Sequence, residues 1–273
     1  MNPKTITSLL VIAVGVLVLL AAPTAVQAQF DYMDNGNGTC TIVNPEGHIF
    51  VGAVAIPATI NGLTVTAFST EVFEADEVLT SVTIPDSVSS IPDQAFESCV
   101  SLSSVAMGCG IRSIGNYSFA GCNNLSSVTI PGRVTSIGVE GFYYCGLTNI
   151  YFKGNAPAFG NDAFAGNPAT VYYLPGTAGW AQFFSQVGLS GALWFLPNPL
   201  ILSRGPDFGV HTNQFGFIIS WATNTSVLVE GCTNLANPVW TPLQTNTLTN
   251  GWFYFSDSQW TNYSGRYYRI GSA

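Results

Sequence analysis

Four copies of one sequence pattern constrain this chain more than any other feature. The copies are spaced 23, 23 and 22 residues apart and start at Leu79, Leu102, Leu125 and Leu147. Repeats of this length form stacked solenoids, because one unit can bury its apolar face only against its neighbours. With a first, irregular coil that starts near residue 54, the pattern predicts a solenoid of about five coils.

Each copy predicts a strand followed by a short helical turn. In the first copy, Leu79, Val82 and Ile84 alternate with polar residues, which is typical of a strand with one apolar side inward. A second inward pair, Val88 and Ile91, follows. The turn after it carries one phenylalanine per copy. We therefore expect an aromatic stack inside the solenoid, formed by Phe96, Phe119 and Phe142.

Three of the six cysteines recur at the period of the repeat. Cys99, Cys122 and Cys145 are 23 residues apart, so stacked coils place them in a row, and three thiols in a row cannot all pair. Free cysteine behaves as a small apolar side chain. We expect buried free thiols, although a single disulfide that includes Cys109 is compatible with the even cysteine count.

The N-terminus resembles a secretory signal peptide. Lys4 precedes an uncharged apolar run from Leu9 to Ala22, and small residues precede Gln29. A retained membrane anchor is the alternative, but this run is shorter than the roughly 20 residues that span a bilayer. We expect cleavage after residue 28, no membrane span in the mature chain, and a secreted or cell-surface protein.

Charge argues against a nucleic-acid partner. The chain has 7 Lys+Arg against 15 Asp+Glu and a net charge of −8, which becomes more negative when the segment with Lys4 is removed. The remaining cations are scattered along the chain. An acidic surface without a basic stripe repels phosphate backbones.

The repeat resembles a known bacterial family. The pattern L-x-x-V-x-I-P, then V-x-x-I, then A-F-x-x-C is similar to the BspA-type (Treponema-type) leucine-rich repeat over residues 54–175. Ser118 and Gly141 replace Ala95 of the first copy, and both are small. The resemblance implies a right-handed arc with strands on its concave face, export or surface attachment, and often adhesion.

The rest of the chain has a different pattern. Two consecutive Asn-Gly pairs at residues 35–38 predict a hairpin in an N-terminal cap, residues 29–53. The repeat domain, residues 54–196, includes a closing segment. Short apolar stretches separated by Asn, Gly and Pro predict a small all-β, sandwich-like module over residues 197–273. Its residues 205–271 resemble a C-terminal module of secreted Verrucomicrobia-type proteins.

No residue set predicts catalysis or a cofactor. His48 and His211 lie in different domains without a nucleophile motif. Four acidic residues at positions 71–77 lack the spacing of a calcium loop, so they are interpreted as a solvated turn. We expect no enzyme activity, no metal and no cofactor.

The leading hypothesis is therefore a non-enzymatic module that binds a protein or another cell-surface macromolecule. The outward positions of the strands are the candidate contact residues, and they are Thr80, Ser81, Thr83, Ser103, Ser104, Ala106, Ser126, Ser127, Thr129, Thr148, Asn149 and Tyr151. Two alternatives are a scaffold anchored by the C-terminal module, and glycan binding through the aromatic residues of that module, among them Trp252 and Trp260.

Overall fold

The computed structural model describes residues 30–44, 47–196, 199–202, 207–221 and 223–272. The predicted signal peptide lies outside these residues. Up to residue 196 the elements are, in chain order, β1 (Asp31–Asp34), β2 (Thr39–Val43), β3 (Gly52–Ala55), β4 (Thr59–Ile60), β5 (Leu63–Phe68), β6 (Leu79–Thr83), β7 (Ser90–Ile91), β8 (Ser104–Ala106), β9 (Ser113–Ile114), β10 (Ser127–Ile130), β11 (Ser136–Ile137), β12 (Asn149–Phe152), β13 (Ala158–Phe159), β14 (Thr170–Tyr173), α1 (Trp180–Val187) and β15 (Ser190–Leu193).

The C-terminal part is all β apart from one short turn of 3-10 helix. Its elements are β16 (Leu200–Leu202), β17 (Gly209–His211), β18 (Gln214–Ser220), β19 (Thr225–Cys232), β20 (Thr241–Leu248), β21 (Trp252–Asp257), the 3-10 helix Trp260–Asn262 and β22 (Tyr267–Ser272).

Seven strands, one from each turn of the solenoid, line one side of the repeat region. Strands β3, β6 and β8 pair in parallel, and so do β10, β12, β14 and β15. Strands β8 and β10 lie side by side but belong to separate sheets. Apolar side chains such as Val82 and Val128 point inward and are buried. We call the outward side of these seven strands the strand face.

A second parallel sheet runs along another side of the solenoid. It consists of the two-residue strands β7, β9, β11 and β13, with Ser90 opposite Ser113 and Ile91 opposite Ile114. The isoleucines of these strands are buried, as the V-x-x-I pattern predicts. Two sheets per coil therefore enclose one continuous apolar core.

Phenylalanine rings stack along the third side. The ring centroids of Phe73 and Phe96 are 4.9 Å apart, those of Phe96 and Phe119 5.1 Å, and those of Phe119 and Phe142 5.0 Å, with planes within 6° of parallel. Phe164 continues the stack at 5.8 Å. The predicted aromatic stack is confirmed, and it is two rings longer than the sequence pattern suggested.

The segments that carry these rings are turns. Gln94 and Ser98, on either side of Phe96, have φ of 58° and 59°. A residue with left-handed φ ends an α-helix, so the predicted helical turn cannot continue. The backbone amide of Phe96 instead donates to the carbonyl of Ser118 in the next coil, 2.8 Å away. These turns therefore hydrogen-bond from coil to coil.

The three recurring thiols have polar partners in the core. All six cysteines are free and only Cys109 is exposed, which confirms the predicted buried thiols. The sequence did not predict their hydrogen bonds. The thiols of Cys99, Cys122 and Cys145 donate to the carbonyl oxygens of Phe73, Phe96 and Phe119, at 2.9, 3.1 and 2.9 Å. Each thiol thus satisfies a buried backbone acceptor of the preceding coil.

The same position of the repeat holds a different polar residue at each end of this row. Asp76 accepts hydrogen bonds from the backbone amides of Phe50, Val78 and Leu79. Asn167 donates to the carbonyl of Phe142 at 2.6 Å and accepts from the backbone amides of Cys145 and Leu147. Backbone amides need acceptors at both ends, so an acceptor-bearing side chain replaces the thiol there, and Asn167 also donates to a carbonyl.

Each end of the solenoid core is covered. At the N-terminal end, β1 and β2 form the predicted hairpin, and Phe30 stacks on Phe50 with ring centroids 5.4 Å apart. At the other end, the apolar face of α1 covers the last rings, with the centroid of Phe183 5.9 Å from that of Phe164. Gly188, with φ of 70°, terminates this helix.

The C-terminal module has its own core between two antiparallel sheets. Strand β18 pairs with β16, β17 and β21, and β19 pairs with β20 and β22. Phe217 and Ile219 from the first sheet contact Val227 and Val229 from the second. The mainly β fold with a solenoid and a C-terminal all-β part is confirmed. The solenoid has about seven turns instead of five, because β14 and β15 continue the stack where the sequence pattern has faded.

We expect Phe119→Ala to lower the free energy of unfolding by about 3–5 kcal/mol, because it removes a fully buried ring from the middle of the stack and leaves a cavity. Urea unfolding followed by circular dichroism measures this change. Tyr144→Ala is the matched control, since this ring is 56% exposed, and its cost should stay below about 1 kcal/mol. Equal costs for the two variants would contradict the assigned role of the stack.

We expect the free energy of unfolding to fall steeply above about pH 9. Burial raises the pKa of Cys99 and of Cys145 from 9.0 to about 12, and raises the pKa of Cys122 as well. The unfolded chain loses these protons first. The stability that the neutral thiols contribute is therefore complete below pH 9 and is lost as the pH rises toward 12.

The size of this effect is about 1.4 kcal/mol per pH unit for each thiol. Urea titrations at pH 8, 9, 10 and 10.5 measure it. Cys122→Ala should reduce the slope by the share of one thiol. An unchanged slope in Cys122→Ala would show that this thiol does not contribute.

Candidate binding face

The twelve candidate contact residues all lie on or beside the strand face. They form three rows that run across the coils, and every one is exposed or half-buried. In the middle row, Ser81 lies opposite Ser104, and Ser127 lies opposite Asn149. The structure therefore brings together residues that are 22 or 23 positions apart in the sequence.

Part of the first row serves the fold. The Ser103 hydroxyl donates to the carbonyl of Thr80 at 3.0 Å, and the Thr148 hydroxyl donates to the carbonyl of Ser126 at 3.1 Å. These groups connect neighbouring coils. The middle and third rows have no such bonds except for Asn149, which donates to the Thr148 hydroxyl at 3.0 Å. They are the rows with polar groups available to a partner.

The third row changes from small to aromatic side chains along the solenoid. Thr83 lies opposite Ala106, and Thr129 lies opposite Tyr151. Tyr151 stacks on Tyr172 with ring centroids 4.9 Å apart and planes 18° from parallel. Trp194 lies 4.9 Å from Tyr151. One end of the strand face is thus lined with small groups, and the other carries an aromatic cluster, Tyr151, Tyr172 and Trp194.

The strand face carries no charge within its strands. None of the seven strands contains Asp, Glu, Lys or Arg. Lys153 follows β12 directly and is exposed. Among the described residues, no carboxylate forms an ion pair with it. A chain with net charge −8 therefore has uncharged strands on this face. Lys153 lies at its edge, and the exposed Asp86 is near it as well, because its carboxylate accepts a hydrogen bond from the backbone amide of Cys109 at 2.7 Å.

A groove of about 560 Å³ opens on the strand face between β8 and β10. Ala106 and Met107 lie on one side, Thr129 and Pro131 on the other, and Trp194 forms a wall. Gly132 lies in this lining, and a Cβ added there would be 2.8 Å from the carbonyl oxygen of Lys153. The turn at this position therefore requires glycine.

Sequence reasoning missed four parts of this site. Tyr172, Trp194, Lys153 and the groove were not predicted. One signal was present in the sequence. The second copy has Ala106-Met107-Gly108 where the first and third have Thr-Ile-Pro, and the groove opens beside this departure. Nothing in the pattern indicates that Trp194 reaches back across a strand to Tyr151.

The residues considered for catalysis and metal binding do not meet. His48 pairs with Asp31, with 3.3 Å between Nδ1 and Oδ2 at a half-exposed site. His211 is exposed at the end of β17. Within the described ranges, no group of three His, Cys, Asp or Glu side chains is placed to hold a metal ion. In the same part of the chain, no helix is long and apolar enough to span a membrane.

The C-terminal aromatic residues are in varied environments. Trp252 is 42% exposed, the guanidinium of Arg269 lies 4.7 Å from the ring centroid of Trp240, and the indole N–H of Trp260 donates to the carbonyl of Asn213 at 3.2 Å. Trp221 packs against the core of the module. Of these four, Trp252 offers the most accessible ring.

A buried ion pair lies in the same module. Nε of Arg266 is 2.6 Å from Oδ2 of Asp257, with both side chains about nine-tenths buried. The Tyr268 hydroxyl donates to the same carboxylate at 3.1 Å. Burial, together with the Asp257 charge, raises the pKa of Tyr268. Arg266 Nε is close to the carboxylate but forms no hydrogen bond of good geometry, so the contact is a buried ion pair supported by the Tyr268 hydroxyl.

Three solved structures are similar to this chain. The T. pallidum leucine rich repeat protein TpLRR is 28% identical, with a TM-score of 0.48 over 53% of this chain and 69% of that chain. A leucine-rich repeat protein from Bacteroides ovatus is 25% identical, with a TM-score of 0.44 over 52% of this chain and 39% of that one. A leucine-rich repeat protein from Bacteroides capillosus is 31% identical, with a TM-score of 0.41 over 46% of this chain and 95% of that chain.

A comparison with curated proteins finds no match. A comparison with family models does find a match. Residues 51–170 match the model described as BspA type leucine rich repeat region, in six copies. The resemblance of residues 205–271 to a Verrucomicrobia-type module stays a prediction, as do the domain boundaries. The repeat region of this chain, residues 51–170, belongs to the BspA type leucine rich repeat family.

Proposed function

We propose that this protein is a non-enzymatic adhesion module outside the bacterial cell, and that its strand face contacts a protein or another macromolecule. Membership of the repeat region in a family of bacterial surface proteins supports a binding role. Export rests on the signal peptide predicted at residues 1–28. The twelve candidate residues are the proposed contacts.

The observation that carries this proposal is that the two sides of each strand have different roles. The inward side chains are buried in one core, while the middle and third rows of the strand face keep polar and aromatic groups available. Serine and threonine lose little side-chain entropy when they are ordered at an interface. The stacked coils hold these groups rigidly, so binding does not require the backbone to reorganise.

A second candidate function is anchoring by the C-terminal module. Its core, which includes Phe217 and Val227, is separate from the solenoid core. A chain that ends after residue 198 should then lose retention on cell-envelope fragments while its strand face still binds. Retention equal to that of the full chain would exclude anchoring. Glycan binding through Trp252 is a further prediction, to be tested on a glycan array with Trp252→Ala.

We expect the double variant Thr83→Lys with Thr129→Lys to weaken partner binding at least tenfold, because two long cations obstruct the third row and remain solvated there. A crosslinking pulldown from the source organism identifies the partner. Titration of the purified full-length variants by biolayer interferometry then measures the affinities.

The matched control is Ser89→Lys with Thr135→Lys, which places the same two charges on exposed positions beside the second sheet. This control should bind as the wild type does, and all three proteins should unfold at the same urea concentration. If the strand-face variant binds every identified partner with unchanged affinity, the strand face is not the contact surface.

A further inference from the structure

The groove exists because two neighbouring strands do not pair. Strands β8 and β10 belong to separate sheets, whereas the other neighbouring strands of the strand face are hydrogen-bonded. Where Tyr151 and Tyr172 fill the third row further along, Ala106 and Thr129 leave it empty. Its volume of about 560 Å³ falls within the range of roughly 300–1,000 Å³ that is common for small-ligand sites.

One wall of the groove is a flat aromatic surface. The Trp194 indole is held against the Tyr151 ring, 4.9 Å away, and it also lines the groove together with Leu196. Aromatic faces carry partial negative charge and attract hydrogens with partial positive charge. The C–H groups on one side of a pyranose ring have this property, so the wall matches a sugar ring lying flat.

The rim of the groove supplies one positive charge. Lys153 lines the groove, and it has no acidic partner among the residues that the structure describes. The strands around it contain no Asp or Glu. Charges elsewhere on the molecule are screened beyond about 8 Å at physiological salt. The carboxylate of Asp86 lies near the groove too, since it accepts a hydrogen bond from the backbone amide of Cys109. Lys153 belongs to the third coil after that of Asp86, so the positive charge at this end of the groove favours an anionic group.

The side of the groove formed by β10 adds a hydroxyl group. Thr129 is half-buried in the groove, and its hydroxyl both donates and accepts hydrogen bonds. Sugar hydroxyls have the same dual character. An aromatic wall, a hydroxyl on one side and one ammonium group at the rim are complementary to the ring, a hydroxyl and the carboxylate of one chemical class.

We propose that this groove binds a carboxylated sugar residue of a glycan chain, with its ring against Trp194 and its carboxylate at Lys153. This inference deepens the proposed function and rests on it, since it names the class of partner that the strand face contacts. Uronic acids and sialic acids share this chemistry. An acidic peptide supplies the carboxylate but lacks the hydroxylated ring that Trp194 and Thr129 accommodate.

Calorimetric titration of the full chain tests the proposal with two acidic probes and their neutral counterparts. The acidic probes are trigalacturonic acid and sialyllactose, and the neutral ones are galactotriose and lactose. Binding of either acidic probe supports the proposal and identifies the source of the sugar. The affinity should fall as the salt concentration rises, because the contact includes an ion pair.

Three variants separate the contributions. Lys153→Gln should lower the affinity for the acidic probe about tenfold and leave the affinity for any neutral probe unchanged. Trp194→Ala should abolish binding, and Trp194→Phe should restore part of it while the urea midpoint stays that of the wild type. Arg112→Gln is the matched control, since it removes a cation that is exposed beside the second sheet. It should bind as the wild type does.

Four results would overturn the inference. They are equal affinity for acidic and neutral sugars, unchanged affinity in Lys153→Gln, equally tight binding of hexaglutamate, and binding of no sugar at all. None of them decides the proposed function, which depends on the separate lysine variants at Thr83 and Thr129. If those variants lose their partner while no sugar binds, the strand face contacts a macromolecule of another class.

Discussion

The stacking of one coil on the next is the interaction on which the rest of this structure depends. Phenylalanine rings of successive coils lie about 5 Å apart in nearly parallel planes, which is close to the spacing of paired strands. Both sheets and the ring stack therefore advance by the same distance per coil. This shared spacing keeps the inward side chains in one core and the outward side chains in straight rows.

Stacking also leaves buried backbone carbonyls and amides that need hydrogen-bond partners. One position of the repeat supplies these partners with three kinds of side chain. A buried carbonyl without a donor costs about 1–3 kcal/mol. In the middle coils the thiols of Cys99, Cys122 and Cys145 supply that donor. Asp76 and Asn167 take the same position at the ends. Asp76 accepts hydrogen bonds from backbone amides, and Asn167 both donates to a carbonyl and accepts from amides. The residue type thus follows the local balance of donors and acceptors.

The strand face shows how departures from the repeat create a candidate site. A regular solenoid would present identical rows of hydroxyls. Here the second copy has small residues at Ala106 and Gly108, and the later coils have Tyr151 and Tyr172 in the row that begins with Thr83. The groove lies between these two regions. The proposed specificity therefore comes from positions where the coils differ, while their common positions hold the fold together.

The sequence by itself determined the solenoid, its inward residues, the aromatic stack and the buried thiols, because a fixed period places equivalent residues at equivalent heights. It also placed the twelve outward residues. Only the tertiary structure decided that Trp194 meets Tyr151 and that Lys153 lies at the same groove. Tyr151 and Lys153 come from the coil that contains β12, and Trp194 directly follows a closing strand, Ser190–Leu193, that has lost the repeat pattern. The lack of pairing between β8 and β10 depends on how whole coils pack, which no local sequence pattern indicates.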